Sequence, residues 1–537
     1  MSDKFKFRRH ASVGAAAAED DDLFLSECFL DTGDLEALID CHDPRRIVLG
    51  RTGIGKTALL NQLIKEKNVI AINPETLSFN YLTNSSILQF FLEAGVKLDL
   101  FFKLLWRHIF TVELIKKRYN ITSETAKKSF LTRIQTLVGQ DKKKERAINY
   151  LLQWGDKFWE QTEYRIKEIT GRIENELQGS IGTKITPLEL SAKAATRLSE
   201  EEKVEVVQRG QAVINEIQMR ELADVMTFLD EDIFDDEKQH YYITIDKLDE
   251  NWIEDRFRYI LIRSLIETIR DFQKVRNIKI IIVLRTDLLE RVFRLTRDPG
   301  FQEEKYRSLF LQLKWNENQL KELLDKRVNH LVRQTYTKQL VGYKDLLPTR
   351  MDNKPAITYM IERTLMRPRE LIEFFNNCIV LAEAHPSINK KMLLTAEGEY
   401  SKNRLRSLQD EWLADYPTLI DFTFLLRKKQ KQFRLEDLDN SDLHEFCLDY
   451  AVKYPERKDA LSSQAKTAAE GLTSFSCFLS FAFHIFYRVG VVGLKTETFE
   501  TTGWSYKGPS TISADTIDCK TRVEIHPTFW RVLGIRP

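Results

Sequence analysis

The sequence predicts an α/β protein whose core is a parallel β-sheet interrupted by a large helical insertion and followed by a helical lid and a small β-containing domain. Three observations predict this class. Short apolar runs alternate with helix-like runs over residues 23–95, and the same texture returns over residues 234–316, as in strand–helix–strand units. The third observation is the stretch "RRIVLGRTGIGKTALL", in which closely spaced glycines directly follow an apolar run.

Five apolar runs predict the strands of the sheet. In chain order they are "RRIVL", "VIAIN", "YYITI", "KIIIVL" and "LFLQLKW". The continuous apolar character of the third and fourth runs is typical of strands that are buried on both faces. Between the first two runs, "KTALLNQLIKEK" places Leu59, Leu60 and Leu63 on one face of a helix.

The changes of texture along the chain predict six regions. A flexible arm covers 1–22, the first part of the sheet core covers 23–95 and a helical insertion covers 96–233. The second part of the core covers 234–316, a helical lid covers 317–404 and a winged-helix-like domain covers 405–537. The insertion is predicted mainly from the helical period of "FWEQTEYRIKEITGRIENEL" and from a helix start at Ser199.

Composition and charge limit the function classes. The chain has 537 residues, 43% of them hydrophobic, and a formal net charge of +1, so any nucleic-acid surface must be a local patch. The six cysteines contain no CxxC pair, which argues against a zinc site. Residues 1–22 lack the apolar core of a signal peptide, and "SFSCFLSFAFHIFY" is too short to cross a bilayer and predicts a buried helix. We expect a soluble, cytoplasmic protein.

The stretch from Gly50 to Thr57 matches the phosphate-loop pattern G-x-x-x-x-G-K-[ST]. Glycines let backbone N–H groups converge on phosphate oxygens, and the following helix points its positive end at the same anion. Lys56 can contact the β- and γ-phosphates and Thr57 can ligate Mg²⁺. We expect a nucleoside triphosphate to bind to the loop and the helix start; an incidental glycine turn is the alternative. The predicted binding residues are Gly50, Arg51, Thr52, Gly53, Ile54, Gly55, Lys56, Thr57 and Ala58.

A carboxylate for the Mg²⁺ shell is predicted at the end of the third strand. In "YYITIDKLDENW", Asp246 follows the apolar run directly, and a strand-end aspartate is suited to holding the metal beside the phosphate loop. Asp249 or Glu250 can orient or activate the attacking water. The alternative for these two residues is an exposed acidic loop.

Two further positions are candidates for contact with the nucleotide. Arg285 ends the fourth strand and can contact the γ-phosphate, or it is a surface arginine in a strand–helix turn. In "RTLMRPRELIEFF", Pro368 suits the first turn of a helix, and Arg369 can reach the nucleotide from a helical lid. A plain helix start is the alternative for this pair.

Together, the phosphate loop, "ITIDKLDE", the strand that ends in arginine, the "RPRE" helix and the terminal "EIHPTFWRVLGI" resemble the STAND branch of AAA-related P-loop ATPases. They also resemble bacterial P-loop ATPases of the FunZ type, which are associated with phage defence and mobile elements. The resemblance implies an ASCE-type P-loop NTPase core with sheet order 5-1-4-3-2, ATP and Mg²⁺ as cofactors, and a γ-phosphate sensor at Arg285. It further implies that Lys56, Thr57 and Asp246 hold the phosphates and the metal, and that Pro368 touches the base.

The sequence leaves three functions open. The first is a slow ATPase that acts as a nucleotide-dependent switch, in which ATP joins the core to the lid, with antiviral defence as the role that the resemblance implies and a protein effector or phage-derived trigger as a partner. The chain has Lys247 where many ring-forming ATPases carry glutamate, which argues against fast turnover. The second is a DNA-acting ATPase that uses a basic helix in "LLRKKQKQFR" and the winged helix; a solvated helix face is the alternative there. The third is a non-catalytic, nucleotide-bound scaffold. A homo-oligomer is a further candidate state.

Overall fold

The computed structural model describes residues 5–77, 98–123, 229–297 except 235 and 237, 302–496, 501–508 and 512–536, with isolated positions between 88 and 227. The predicted insertion helices at 158–177 and from Ser199 lie outside these residues. The chain divides into two compact units. We call Asp31–Arg51 with Lys56–Leu313 the α/β unit, and Met1–Leu30 with Thr52–Gly55 and Lys314–Pro537 the helical unit.

The strands and α-helices of the described residues are numbered in chain order. The strands are β1 (Ile47–Gly50), β2 (Val69–Ile72), β3 (Tyr241–Ile245), β4 (Ile278–Arg285), β5 (Phe310–Gln312), β6 (Arg350–Met351), β7 (Lys354–Pro355), β8 (Gln432–Arg434), β9 (Val492–Lys495) and β10 (Arg522–Ile525). The helices are α1 (Asp22–Cys28), α2 (Asp34–Ile39), α3 (Lys56–Glu66), α4 (Asp99–Tyr119), α5 (Asp255–Phe272), α6 (Thr286–Leu295), α7 (Glu317–Thr335), α8 (Tyr343–Leu346), α9 (Ala356–Ile361), α10 (Pro368–Leu381), α11 (Lys390–Trp412), α12 (Leu419–Phe422), α13 (Asn440–Lys453), α14 (Ala460–Ala469), α15 (Phe475–Val489) and α16 (Trp530–Leu533).

The α/β unit is built on a five-stranded parallel sheet in the order β2-β3-β4-β1-β5. Each of the five predicted apolar runs overlaps one of these strands, and the order is the 5-1-4-3-2 that the resemblance implies. Every residue of β3 is buried, as are all residues of β4 except its last. The register pairs Gly50, at the end of β1, with Arg285, at the end of β4. The parallel arrangement therefore gathers Gly50, Asp246 and Arg285 at the carboxyl edge of one sheet.

Helices α3, α4 and α5 cover the sheet of this unit. Leu59, Leu60 and Leu63 of α3 are buried, as their spacing predicts. Trp106 of α4 is fully buried and donates a 3.0 Å hydrogen bond from its indole nitrogen to the Leu261 carbonyl of α5. Because α4 lies within 96–233, the described part of the predicted insertion is helical and contributes to the main core of the α/β unit.

In the helical unit, helices α7, α9, α10 and α11 share one hydrophobic core. Helix α10 begins at Pro368 as predicted, with Arg367 in extended conformation before it. A proline is tolerated at this first position because its missing N–H would have no partner within the helix. Helix α10 therefore begins at Pro368, the residue that is predicted to touch the base of the nucleotide.

The prediction of a flexible N-terminal arm is wrong for residues 5–22. Phe7 and Val13 are buried in the core of the helical unit. Phe7 exchanges main-chain hydrogen bonds with the segment that follows α10, and Asp21 forms a buried 2.5 Å ion pair with Arg327 of α7. Local sequence did not indicate this packing, because the partners of Phe7, Val13 and Asp21 lie more than three hundred residues away in the chain.

The end of the chain folds around a second core in the helical unit. Helices α13, α14 and α15 are accompanied by the antiparallel sheet β8-β10-β9. The apolar stretch around His484 forms α15, a largely buried helix as predicted. The winged-helix assignment of this region stays a prediction. Among the described residues, no helix combines the length and the apolar character that crossing a membrane requires.

The basic helix predicted in "LLRKKQKQFR" is wrong. Lys428 has a left-handed backbone with φ of 60°, and the segment continues into strand β8. The amides of Lys428 and Lys431 donate hydrogen bonds to the carbonyls of Leu533 and Arg536 near the chain end. These distant carbonyls satisfy amides that a helix would have paired locally, and the charges consequently lie along an irregular segment and an edge strand.

Candidate functional site

The glycine loop has the backbone conformation that its composition predicts. Gly53 and Gly55 have φ of 78° and 101°, values that side-chain-bearing residues rarely adopt. A Cβ added at Gly53 would lie 2.9 Å from Cβ of Arg369, so a side chain is also excluded by contact. Helix α3 starts at Lys56, directly after this loop, which gives the loop the amino end of an eleven-residue helix.

The ammonium group of Lys56 lies against the start of its own loop. Its Nζ donates 3.0 Å hydrogen bonds to the carbonyl oxygens of Gly50 and Arg51. Because these carbonyls belong to the residues that connect β1 to the loop, the positive charge is held at the carboxyl end of β1. The Lys56 ammonium would therefore lie near a phosphate that the loop binds.

Thr57 and Asp246 are in direct contact. The Thr57 hydroxyl donates a 3.0 Å hydrogen bond to Oδ2 of Asp246, and Oδ1 accepts a 2.8 Å hydrogen bond from the amide of Lys247. Lys247 adopts a left-handed backbone, with φ of 61°. Burial raises the pKa of the Asp246 carboxyl above its usual value, against the two hydrogen bonds, which favour the ionised form.

Arg285 is oriented by a carboxylate that the sequence analysis did not single out. Its guanidinium makes two hydrogen bonds to the buried Asp287, of 3.1 and 2.8 Å. A third nitrogen lies 3.7 Å from Oδ2 of Asp249. Two parallel hydrogen bonds fix both the position and the plane of an arginine. The pattern "RTD" contained the signal, since a carboxylate two residues after a strand-end arginine is within its reach.

The two acidic candidates have different surroundings. Asp249 faces Arg285, whereas Glu250 lies 3.7 Å from Lys247 in an exposed pair. The Asp249 charge also acts to raise the pKa of Asp246, although less than burial does. The structure therefore groups Asp249 with Asp246 and Arg285, and it directs Glu250 toward Lys247.

Pro368 and Arg369 belong to the helical unit, which also contains Thr52–Gly55 of the loop. Pro368 is buried at the start of α10. The main-chain amide of Arg369 donates a 3.3 Å hydrogen bond to the carbonyl of Gly53, and its side-chain Nε donates a 3.0 Å hydrogen bond to the carbonyl of Ala16. Arg369 thus contacts the loop by its backbone and the N-terminal segment by its side chain.

Two residues that contact the loop were not predicted from the sequence. Trp315 donates from its indole nitrogen to the Ile54 carbonyl at 2.9 Å, and Arg367 donates from Nη1 to the Thr52 carbonyl at 3.0 Å. The sequence places Trp315 at the end of an apolar run and Arg367 directly before a predicted helix start. Neither has a motif that points to a carbonyl more than two hundred residues away.

The residues present fit a magnesium-bound polyphosphate. The left-handed glycines give the loop a backbone in which N–H groups can converge on an anion, and the lysine and helix start that follow it supply positive charge. The hydroxyl and carboxylate oxygens of Thr57 and Asp246 are hard ligands of the kind that Mg²⁺ prefers. The buried carboxylate, whose pKa is raised, would become more acidic with a cation beside it.

Comparisons with known proteins give a family match and a sequence relative. Residues 318–409 match the FunZ-associated C-terminal helical domain. An Escherichia coli (strain K12) protein, named as a transposon gamma-delta 80.3 kDa protein, is 23% identical over an alignment of 535 residues, and the match covers 97% of this chain and 67% of that protein.

Two solved structures resemble this chain weakly. The Walker-type ATPase PABY2304 of Pyrococcus abyssi is 12% identical, with 97% of each chain covered and a TM-score of 0.35. The ORC2 protein of Aeropyrum pernix, solved as ADPNP–ADP complexes, is 11% identical, covers 99% of this chain and 95% of its own, and has a TM-score of 0.30. At such scores, the strand order and the loop geometry of this chain carry the structural assignment by themselves.

Proposed function

We propose that this chain binds a nucleoside triphosphate with Mg²⁺, uses ATP as its nucleotide, and hydrolyses it slowly as a conformational switch. The single observation that carries the proposal is the Thr57–Asp246 hydrogen bond beside the glycine loop. It joins a hydroxyl that directly follows the loop to a carboxylate from a distant segment, and this pair of oxygens supports a divalent-cation site for a triphosphate held by the loop. The choice of adenine follows the resemblance of the motifs.

Each residue has a specific task in this proposal. The amides of the loop and the ammonium of Lys56 hold the phosphates, while Thr57 and Asp246 hold the metal. When bound, Mg²⁺ neutralises charge on the β- and γ-phosphates and favours departure of the ADP oxygen. Asp249 orients the attacking water, because it faces the same guanidinium that ends β4 next to Gly50.

Arg285 is the γ-phosphate sensor in this scheme. Its strand-end position beside Gly50 and its two-point contact with Asp287 hold it near the loop. With a γ-phosphate present, the guanidinium divides its interactions between Asp249 and the anion. Loss of that phosphate changes the charge balance around Asp249, and this local change is the signal of the switch. Without an activating arginine from a partner, turnover is on the order of 10⁻⁴ to 10⁻² per second.

The testing experiment is an ATPase assay combined with calorimetric binding of MgATP. Wild type, Lys56→Ala and Asp246→Ala are compared, with Lys65→Ala as the matched control because Lys65 is an exposed lysine of the same helix. Lys56→Ala is expected to lose binding, and Asp246→Ala to retain weak binding without turnover. Equal activity in all four proteins would overturn the enzymatic proposal. Stable retention of ATP without turnover would support the scaffold function instead.

Duplex DNA is added in a second arm of the same assay. Stimulation of turnover by DNA, with affinity that falls steeply with salt, would favour the DNA-acting alternative. The cavity of about 680 Å³ beside β8 and β10 gives that alternative limited support, because Arg434, Lys495 and Arg522 in its lining are accompanied by Glu436, Asp437 and Glu524. The mixed charges there match a protein partner as well as a polyanion.

We also propose a role in phage defence or in the biology of mobile elements. The support is the motif resemblance, the match of residues 318–409 to a FunZ-associated domain and the transposon name of the E. coli relative. Phage challenge of cells that express wild type or Lys56→Ala tests the defence role. Equal plaque counts on both strains and on cells without the gene would contradict it.

A further inference from the structure

Three consecutive carbonyls of the phosphate loop each accept a hydrogen bond from the helical unit to which Thr52–Gly55 belong. Nη1 of Arg367 donates to Thr52 at 3.0 Å, the backbone amide of Arg369 donates to Gly53 at 3.3 Å, and Nε1 of Trp315 donates to Ile54 at 2.9 Å. The donors are a guanidinium, a main-chain amide and an indole, from two places in the sequence. We call this set the carbonyl clamp.

The carbonyl clamp sets the direction of the loop amides. In a planar trans peptide, the C=O of one residue and the N–H of the next point in opposite directions. Fixing the carbonyls of Thr52, Gly53 and Ile54 toward the donors therefore turns the N–H groups of Gly53, Ile54 and Gly55 to the other side of the loop. A loop that binds phosphate needs its amides to converge on the anion and its carbonyls to point elsewhere.

Other contacts hold the residues that supply these three donors. Arg367 is only 2% exposed, and it forms a 2.9 Å ion pair with Glu411 of α11 and lies 3.4 Å from Glu370. Arg369 is anchored through its Nε to the carbonyl of Ala16. Trp315 lies just before α7, and its ring carbon is 4.0 Å from the position of a Cβ built on Gly55.

We propose that Trp315 and Arg367 are positioning residues that preorganise the phosphate loop for polyphosphate, together with the amide of Arg369. This inference rests on the proposed function, because it concerns the same loop. Without a donor, a loop peptide is free to rotate and to present its carbonyl dipole to the anion, and the free energy of ordering the loop is subtracted from binding. Removing one neutral donor should weaken polyphosphate binding by about 3- to 10-fold.

The central variant is Trp315→Phe, which keeps an aromatic ring and deletes the N–H. Its matched control is Trp412→Phe, in the same unit, because the buried indole nitrogen of Trp412 donates no hydrogen bond among the described residues. Calorimetry on the full chain measures the Kd and the stoichiometry for MgATP and for magnesium tripolyphosphate, and a thermal melt follows stability. Arg367→Lys is the second variant, which keeps the charge beside Glu411 and loses the two-pronged geometry.

We expect Trp315→Phe to raise the Kd for both ligands by the same factor of about 3 to 10, with unchanged stoichiometry and with Trp412→Phe like wild type. An equal factor for tripolyphosphate shows that the effect is on the loop and not on a base pocket. A variant that is merely damaged would instead lower the stoichiometry at constant Kd, and that result would overturn the inference.

The remaining outcomes are equally decisive. If wild type binds and both Trp315→Phe and Arg367→Lys bind with wild-type Kd, the carbonyl clamp has no positioning role. If Trp315→Phe does not fold, the same comparison rests on Arg367→Lys, for which a weaker Kd at full stoichiometry supports the inference. If wild type binds neither ATP nor tripolyphosphate, the proposed function itself fails, which is a distinct result.

Discussion

The Thr57 hydroxyl donates a 3.0 Å hydrogen bond to Oδ2 of Asp246, across 189 residues of sequence. The contact connects the first turn of α3 to the end of β3, two strands away from β1 in the sheet. Both oxygens belong to side chains that sequence patterns predict as metal ligands. Because the two side chains are in contact, we expect a change in either one to affect metal binding.

Replacing Thr57 should separate metal-assisted from metal-independent binding. Thr57→Val keeps the shape and removes the hydroxyl, so the affinity gained by adding Mg²⁺ to ATP should fall by about 10- to 100-fold, while binding of metal-free ATP changes little. Thr57→Ser is the control and should retain most of the gain. Calorimetric titrations with and without Mg²⁺ measure this, and an unchanged gain in Thr57→Val would contradict the ligand role.

Asp246→Asn should stabilise the protein in the absence of nucleotide and Mg²⁺ while it removes turnover. Burial raises the folded-state pKa of Asp246, so the folded protein binds more protons than the unfolded chain at pH values between the two pKa values. Stability consequently falls as the pH rises from the unfolded value through the folded one, and the cost is complete above it. Asparagine avoids this cost, and a melt at neutral pH should shift upward by roughly 2 °C. A lower melting temperature would refute the argument.

Asp287 should act on turnover through Arg285. Asp287→Asn weakens the two-point contact that orients the guanidinium, so kcat should fall by about 10-fold with little change in the Kd for MgATP. A double-mutant cycle provides the control. In an Arg285→Ala background, Asp287→Asn should have no further effect, and an additive loss would show that Asp287 acts independently of the arginine.

Glu370 should be essential to the stability of the helical unit. It is fully buried, lies 3.0 Å from Arg404 and 3.4 Å from Arg367, and accepts a hydrogen bond from the amide of Leu365. Glu370→Ala removes the carboxylate that pairs with the buried Arg404 and one of the two that face the buried Arg367, which should reduce the free energy of unfolding by about 3–5 kcal/mol. Urea unfolding measures this effect. The control is Glu399→Ala, an exposed glutamate of α11, which should cost less than about 0.5 kcal/mol.

The packed N-terminal segment gives a similar test. Phe7 is 2% exposed, and its main chain exchanges hydrogen bonds with Ala384 and His385. Phe7→Ala should reduce the free energy of unfolding by about 3 kcal/mol because it leaves a cavity in a formed core. Lys6→Ala, which changes an exposed neighbour, should have almost no effect. Equal urea midpoints for the two variants would contradict the packing of Phe7 and would support a flexible N-terminal arm.

Tertiary partners decided several features that local patterns had predicted wrongly or had not indicated. The basic stretch around Lys428 is an irregular segment and a strand because its amides pair with carbonyls near the chain end. Residues 5–22 are packed because Asp21 meets Arg327 and Phe7 meets a core from α7 onward. A local window contains neither partner, and such packing overrides propensity.

The sequence by itself determined the strands, the phosphate loop and the placement of Asp246 and Arg285 at strand ends, because apolar runs, glycine spacing and strand-end positions are local properties of the chain. Only the tertiary structure decided that Asp287 orients Arg285 and that Trp315 and Arg367 contact the loop carbonyls. The contacts of Trp315 and Arg367 join residues hundreds of positions apart, and even the pairing of Arg285 with Asp287 requires a side-chain geometry that packing sets. The physical reason is that hydrogen bonds depend on ångström distances, whereas sequence patterns encode only periodicity and polarity.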